Sequence, residues 1–406
     1  MSEGNARKRI TPAEVIVVVA ILVVAAVLVL PMIHKAREAS RRTLCKDNLK
    51  RIGVAMLSYH DAHRVFPPGI TSTNFLGTTR SCEYVAPPTG TCEPESAGLS
   101  QSSAFMMILP FMEEKKVYEY YNQSLACCSL ANSTSTRSII NAYLCPSNFR
   151  DNPLIESSYY RGYAAPTDYL LNKGANSLLT CWHSNKLYQG PWEGFPYPFT
   201  LSPGIGPFEV NSKTYLRDFR DGRSQTFLMG EGASGPGIGA GLPVYAGTAE
   251  EMAAPPGIQP GTNITQAWSQ GFVGNNGIGG NGSIFGATAY DAWYDSMIRL
   301  TDPMNGGTAI TGWTPLRLNM NKLKRIRVTS YQSSNRTGMH GWYSPSKVNN
   351  FGFSFTMSPF RSHHSGVAHF LFADGSVHVI QENIDDKIYA GFSTMRGKEP
   401  LPNIEE

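Results

Sequence analysis

Residues 11–63 read TPAEVIVVVAILVVAAVLVLPMIHKAREASRRTLCKDNLKRIGVAMLSYHDAH, and this stretch decides the fold. No turn signal interrupts it, so it is expected to form one helix, at ~1.5 Å per residue roughly 75 Å long. Thr11 with Glu14 three residues on forms a capping box, and Pro12 occupies the first helical position, where its missing N–H costs nothing. Val15 to Ile33 carries no charge and approaches the ~20 residues that cross a bilayer. In lipid every backbone group must be paired internally, which forces a helix on a Val/Ile-rich run of modest helix propensity. Pro31 removes one backbone hydrogen bond, so a kink is expected there. Beyond it, Cys45, Leu49, Ile52, Met56 and Tyr59 recur at three- and four-residue steps, an apolar stripe that needs a partner surface. Phe66-Pro67-Pro68-Gly69 ends the helix. A cleaved signal peptide would show small residues and a break after the apolar run, whereas charged helical sequence follows here. A plain uncleaved anchor stays open.

The other residues describe a different material. Only 16% of the chain is charged, with 39 Gly and 27 Pro, which points to strands and loops rather than a helix bundle. The fold class expected is therefore α+β, a long N-terminal helix packed by its amphipathic half on an antiparallel sheet with loop-rich insertions. The net charge of +4 and the lack of a basic cluster interleaved with aromatics argue against a nucleic-acid partner. None of the seven cysteines has zinc-finger spacing. Cys82 and Cys92 bracket EYVAPPTGT, a loop that a disulfide would staple. An odd count leaves one cysteine unpaired or paired between chains.

Residues 66 to about 100 read as loop, and Ser103 to Gln123 as an apolar segment broken at Pro110, then a short helix with a solvated Glu113/Glu114 and Lys115/Lys116 face. Ser138 to Pro146 reads as a short strand, Thr226 to Met229 as a buried one, and Asp221-Gly222 as a turn. Residues 232 to about 315 form a Gly/Pro-rich insertion. Its GIGAG run lacks the Lys-Ser/Thr of a phosphate loop, and its aromatics, Trp268 and Trp293 among them, are expected in a core, with a sugar- or peptide-binding surface as the alternative. Lys322 to Ser330 looks like an exposed strand. Near the C-terminus, Asp374-Gly375 between alternating runs predicts a hairpin with a two-residue turn. That register puts Phe370, Phe372, Val377 and Val379 on the core face and His369, Leu371, His378 and Ile380 on the other. His369 and His378 would then be diagonal neighbours, a minimal metal pair without a spaced third ligand. The simpler expectation is that His364 hydrogen-bonds loop backbone near the Asp-Gly turn. Asp385 to Ser393 reads as a closing helix.

The N-terminal stretch resembles type IV prepilins and the pseudopilins of type II secretion. Arg7-Lys8 matches their basic leader and Ile10-Thr11-Pro12-Ala13-Glu14 their Phe-Thr-Leu-x-Glu motif. Counting from Ile10, Glu14 and Pro31 stand where that family has its glutamate and proline. KAREASRRTLCKDNLKRIG, SYHDAHRVFPPG, the Cys145-Pro146-Ser147 turn, Asp221-Gly222 with Ser224, Thr226, Gly230 and Glu231, and His364, nine residues, Asp374-Gly375 are similar to a narrower bacterial family of prepilin-like proteins of uncharacterised function. The resemblance implies processing between Arg9 and Ile10, with Arg9 standing where the family has glycine, and an assembly role for Glu14 toward the amine of a neighbouring subunit; a helix cap at Thr11 and Glu14 is the alternative. With Cys45 on the stripe and Cys145 in the shared turn, a Cys45–Cys145 bridge tying helix to head is expected, against the alternative of two buried thiols.

The resulting organisation is a basic leader at 1–9, a transmembrane half at 10–33, an amphipathic half at 34–65 and a head at 66–406. Charge counting alone would leave the C-terminal side in the cytoplasm, because Lys35, Arg37, Arg41, Arg42 and Lys46 outnumber Arg7, Lys8 and Arg9. The resemblance and the cysteines favour export of the head from a single-pass inner-membrane protein. The expected function is a pilin-like structural subunit of a type IV pilus-like filament or secretion pseudopilus, with the membrane and like subunits as partners. The alternative is a permanently anchored envelope protein whose head binds a ligand or protein. No catalytic constellation stands at usable spacing. No cofactor is expected apart from calcium, which some pseudopilins carry in a C-terminal loop; Asp374, Glu382, Asp385 and Asp386 are the oxygen donors here, without EF-hand spacing.

Overall fold

The structure is a computed structural model. It describes residues 12–71, 102–175 apart from 149, 151 and 158–161, 206–233 apart from 210 and 211, 360–397 and 401–402, with shorter strand segments between 242 and 359. Arg9, Ile10, Thr11, Cys82, Cys92, Cys181, Trp293 and most of the Gly/Pro-rich insertion lie outside the described residues, as does the side chain of Glu14.

Helix α1 spans Pro12–His63 and continues unbroken through Pro31. Its two halves have opposite surroundings. The apolar side chains described from Val15 to Ile33 are all exposed, and no residue of the apolar window is buried against the head. Cys45, Leu49, Ile52 and Met56 are fully buried and Tyr59 is half-buried. The stripe read from three- and four-residue steps is therefore the face that docks.

It docks on a seven-stranded sheet. In chain order its strands are β1 (Tyr169–Gly174), β2 (Phe227–Glu231), β3 (Leu242–Tyr245), β4 (Phe285–Ala287), β5 (Ser354–Pro359), β6 (Val367–Phe372) and β7 (Val377–Gln381). In space they run β7-β6-β2-β1-β4-β5-β3. Pairing is antiparallel except that β4 lies parallel to both β1 and β5. The fold class is α+β. One sheet face carries Leu171, Met229, Leu371 and Val377 into a core with the α1 stripe, Phe105, Tyr143 and Trp268. The other buries Leu170, Phe227, Phe360, Phe370, Phe372 and Ile380 against Tyr389 and Phe392 of the C-terminal helix Asp386–Ser393. That helix starts where the sequence places it, because the Asp385 carboxylate accepts from the Lys387 and Ile388 amides.

Gly230 sits at the crossing of these layers. A Cβ added there would lie 2.4 Å from Phe370 Cε1 and 2.6 Å from Phe360 Cδ1. Ring edges in a packed core cannot retreat without off-rotamer strain, so Gly230→Ala lowers the unfolding free energy by about 1–3 kcal/mol. Chemical denaturation of the full chain in detergent reads the loss; an unchanged midpoint would show that the aromatic layer can shift freely.

Two local readings are corrected. The β6–β7 hairpin forms, but not with a two-residue turn. The Gly375 amide bonds the Phe372 carbonyl, the Phe372 amide bonds the Ser376 carbonyl, and Gly375 takes φ +84°. This is a type I turn followed by a left-handed glycine, which adds one residue to the loop. Leu371 then faces Val377 and Phe370 faces His378. A one-residue slip exchanges the faces of a strand, so Ile380 is buried while Val379 is 47% exposed. Ser138 to Pro146 is also not a strand. Asn141–Tyr143 is a 3-10 turn, and the Cys145 amide is taken by a side chain, Asp168 Oδ2, rather than by a sheet neighbour. The short helix Lys115–Glu119, strand β2 and the core position of Trp268 agree with the sequence.

Candidate functional site

Several features singled out in the sequence converge where α1 meets the head. The Cys45–Cys145 disulfide is closed, with Cα atoms 5.0 Å apart across a separation of 100 residues. Around it the chain is tied repeatedly. Asn48 Nδ2 donates to the Leu144 carbonyl at 2.8 Å, and the Tyr169 hydroxyl donates to the Cys45 carbonyl at 3.2 Å. Asp168 holds the Cys145-Pro146-Ser147 turn from below, accepting from the Cys145 amide at 2.8 Å and from Asn148 and Arg150. Two turns along α1 from Cys45, on the same face by helical periodicity, stands Glu38.

Glu38 leads into a buried ionic chain. Its Oε1 lies 2.7 Å from His364 Nδ1, and its Oε2 accepts from Arg41 at 2.7 Å and 3.0 Å. His364 is fully buried, and its Nε2 lies 3.4 Å from Glu231 Oε1 and 3.8 Å from Cys145 Sγ. Glu231 in turn takes the His369 ring at 3.0 Å and the His369 backbone amide at 3.1 Å. The His364 and His369 rings meet edge to face, with centroids 5.1 Å apart.

The electrostatics follow from this pairing. Burial by itself raises the Glu231 pKa, but hydrogen bonds and charge from His364 and His369 overcome it and hold the carboxyl at about 2. Burial likewise lowers the His364 pKa, and the two carboxylates, Glu231 first and then Glu38, reverse that and raise it above the ordinary histidine value. Glu38, whose burial opposes ionisation, is lowered by His364 and Arg41. The result is a histidine ring clamped between a carboxylate on the anchor helix and one on the sheet, an arrangement that favours its charged form.

The sequence-predicted residues divide accordingly. Cys45, Cys145 and His364 meet in this junction. His364 does not serve the Asp-Gly turn; its partners are Glu38 and Glu231, and its amide is held by Ser362 Oγ at 3.1 Å. Asp374 and Gly375 stand at a second contact with α1, where the Gly375 carbonyl accepts from Lys50 Nζ at 2.9 Å and Asp374 Oδ1 is bonded by the Ser376 amide and hydroxyl. The His369–His378 pair is not formed. His378 pairs with Phe370 and His369 with Val379, so the two histidines lie on opposite faces rather than diagonally on one, and His378 Nε2 lies 2.9 Å from Ser376 Oγ. The calcium set is not gathered either. Asp374 and Asp385 serve local turns, and the cluster with mutually close ligand atoms among the described residues is Cys45, Cys145, Glu231 and His364. Asp221 is structural, accepting from the Gly397 amide at 2.7 Å. Glu38 is the member missed from the sequence; its seven-residue spacing to Cys45 was the available signal. Cys128 is also disulfide-bonded.

A family model described as a protein of unknown function (DUF1559) matches residues 34–387. The match begins just after the exposed apolar run and includes every residue of the junction. No curated protein and no solved structure matches the chain.

Proposed function

The chain belongs to that family of unknown function, DUF1559, and from this premise we propose that it is a pilin-like structural subunit, held in the membrane by the first half of α1 before assembly with like subunits. The observation that carries the reading is the division of one 52-residue helix into a half whose described apolar side chains are exposed and a half locked into the head by a disulfide and an ionic clamp. A mere anchor needs no such rigidity; a subunit that stacks helix on helix does. Glu14 and Pro31 at family spacing support it, and the disulfides fit a head in an oxidising compartment beyond the inner membrane. Arg9 in place of glycine favours the second reading, a permanently anchored envelope protein whose head binds a partner.

Intact mass of the protein extracted from native membranes tests the proposal. A chain beginning at a methylated Ile10, and cross-linking to its own kind through cysteines placed between Val15 and Ile33, is the expected result. A chain that keeps Met1–Arg9 and gives no such cross-links would replace it by the anchored form.

A further inference from the structure

The junction contains four ligand atoms of metal-binding type, one each from Cys45, Cys145, Glu231 and His364, all within 4.8 Å of one another and all on buried residues. Their spacing is informative. A tetrahedron with metal–ligand bonds of about 2.0–2.3 Å has edges of about 3.3–3.8 Å. The His364 Nε2–Glu231 Oε1 distance is 3.4 Å and the Cys145 Sγ–His364 Nε2 distance is 3.8 Å. Two of the six edges are already in place, the remaining contacts lie within 4.8 Å, and the sulfurs, bonded to each other at 2.02 Å, must separate.

We propose that reduction of the Cys45–Cys145 disulfide converts the helix–head junction into a tetrahedral site for a divalent transition metal, with Cys45, Cys145, His364 and Glu231 as ligands and zinc as the ion this donor set suits best. A dithiol reductant supplies two electrons and two protons and leaves as its own disulfide, while Cys45 and Cys145 become thiols. The metal then displaces the two thiol protons and the proton on His364 Nε2. The surroundings are those a metal site needs. Glu38 holds His364 Nδ1–H, which fixes the tautomer with Nε2 directed at the sulfurs, and His369 orients Glu231 through both its ring and its amide. The metal would replace one cross-link by another, keeping helix and head joined in any chain whose disulfide has been reduced, and the site does not depend on whether the chain assembles.

The test uses the full-length protein in detergent, reduced with a phosphine and titrated with Co²⁺. One equivalent should give the visible bands of tetrahedral cobalt thiolate, lost on adding Zn²⁺ and absent from the oxidised protein. X-ray absorption of the zinc-loaded wild type should show two sulfurs at about 2.3 Å and two nitrogen or oxygen neighbours at about 2.0–2.1 Å. His364→Ala and Glu231→Gln should each weaken Co²⁺ binding at least tenfold. The proposal is overturned if the reduced wild type gives no tetrahedral cobalt spectrum, if the zinc shell holds other than two sulfurs, or if the Cys45→Ser/Cys145→Ser protein keeps the bands. The absorption measurement needs no variant, so a folding defect in either substitution leaves the answer intact.

Discussion

Replacing Cys45 and Cys145 together by alanine lowers the unfolding free energy of the head by about 3–5 kcal/mol. The bridge joins positions 100 residues apart, and closing so long a loop removes more freedom from the unfolded chain than any local contact returns. Alanine is the right replacement because both sulfurs are buried, and serine would add hydroxyls able to rebuild polar ties beside His364 and Glu231. The loss should be directional. Contacts between α1 and the head, including Asn48 with the Leu144 carbonyl and Tyr169 with the Cys45 carbonyl, should open before the β1–β2–β6 sheet does. Hydrogen exchange on the detergent-solubilised chain distinguishes the two. Amides of the 141–148 turn should lose protection first. A double variant within about 0.5 kcal/mol of wild type would mean that the remaining contacts hold the helix unaided.

Glu231→Gln removes the anion that two histidines share. Taking one partner from a buried ion pair costs about 3–5 kcal/mol, because the remaining charge has no solvent to return to. The wild-type pH dependence should show the same site from both sides. Glu231 is depressed from 4.5 to about 2, so its contribution, on the order of 3 kcal/mol, is complete above the unfolded value and is lost as pH falls through 4.5 toward 2. His364 is raised above 6.5, so its contribution is complete below the unfolded value and is lost as pH rises through the folded one. Stability should therefore peak in weakly acid solution. Glu231→Gln should flatten the acid limb and shift the alkaline limb to lower pH. Denaturant midpoints measured from pH 3 to pH 9 decide it, and an unchanged acid limb would place the titration elsewhere.

How much of this was readable in advance depended on the range of the interaction. The docking stripe of α1 repeats every three or four residues, the Asp385 cap lies one residue before its helix, and the Asp374-Gly375 hairpin is a local turn. Each of these is written in neighbouring residues, and each appears in the structure. The hairpin register failed by a single residue, because a left-handed Gly375 after a type I turn and a two-residue turn share the same Asp-Gly signature. The strand expected at 138–146 failed because Asp168, more than twenty residues on, takes the Cys145 amide that a sheet partner would have used.

From sequence alone came the rod, its division into an apolar and an amphipathic half, and the two-material contrast between helix and loop-rich head. Only the tertiary structure could bring Glu38, Glu231, His364 and His369 together, across separations of 326 residues between Glu38 and His364 and 138 between Glu231 and His369. Periodicity records which face of an element is buried, since that depends on backbone geometry common to all chains. Which buried charge meets which is settled by how strands and helix stack, and a carboxylate's pKa follows from that meeting rather than from its neighbours in sequence.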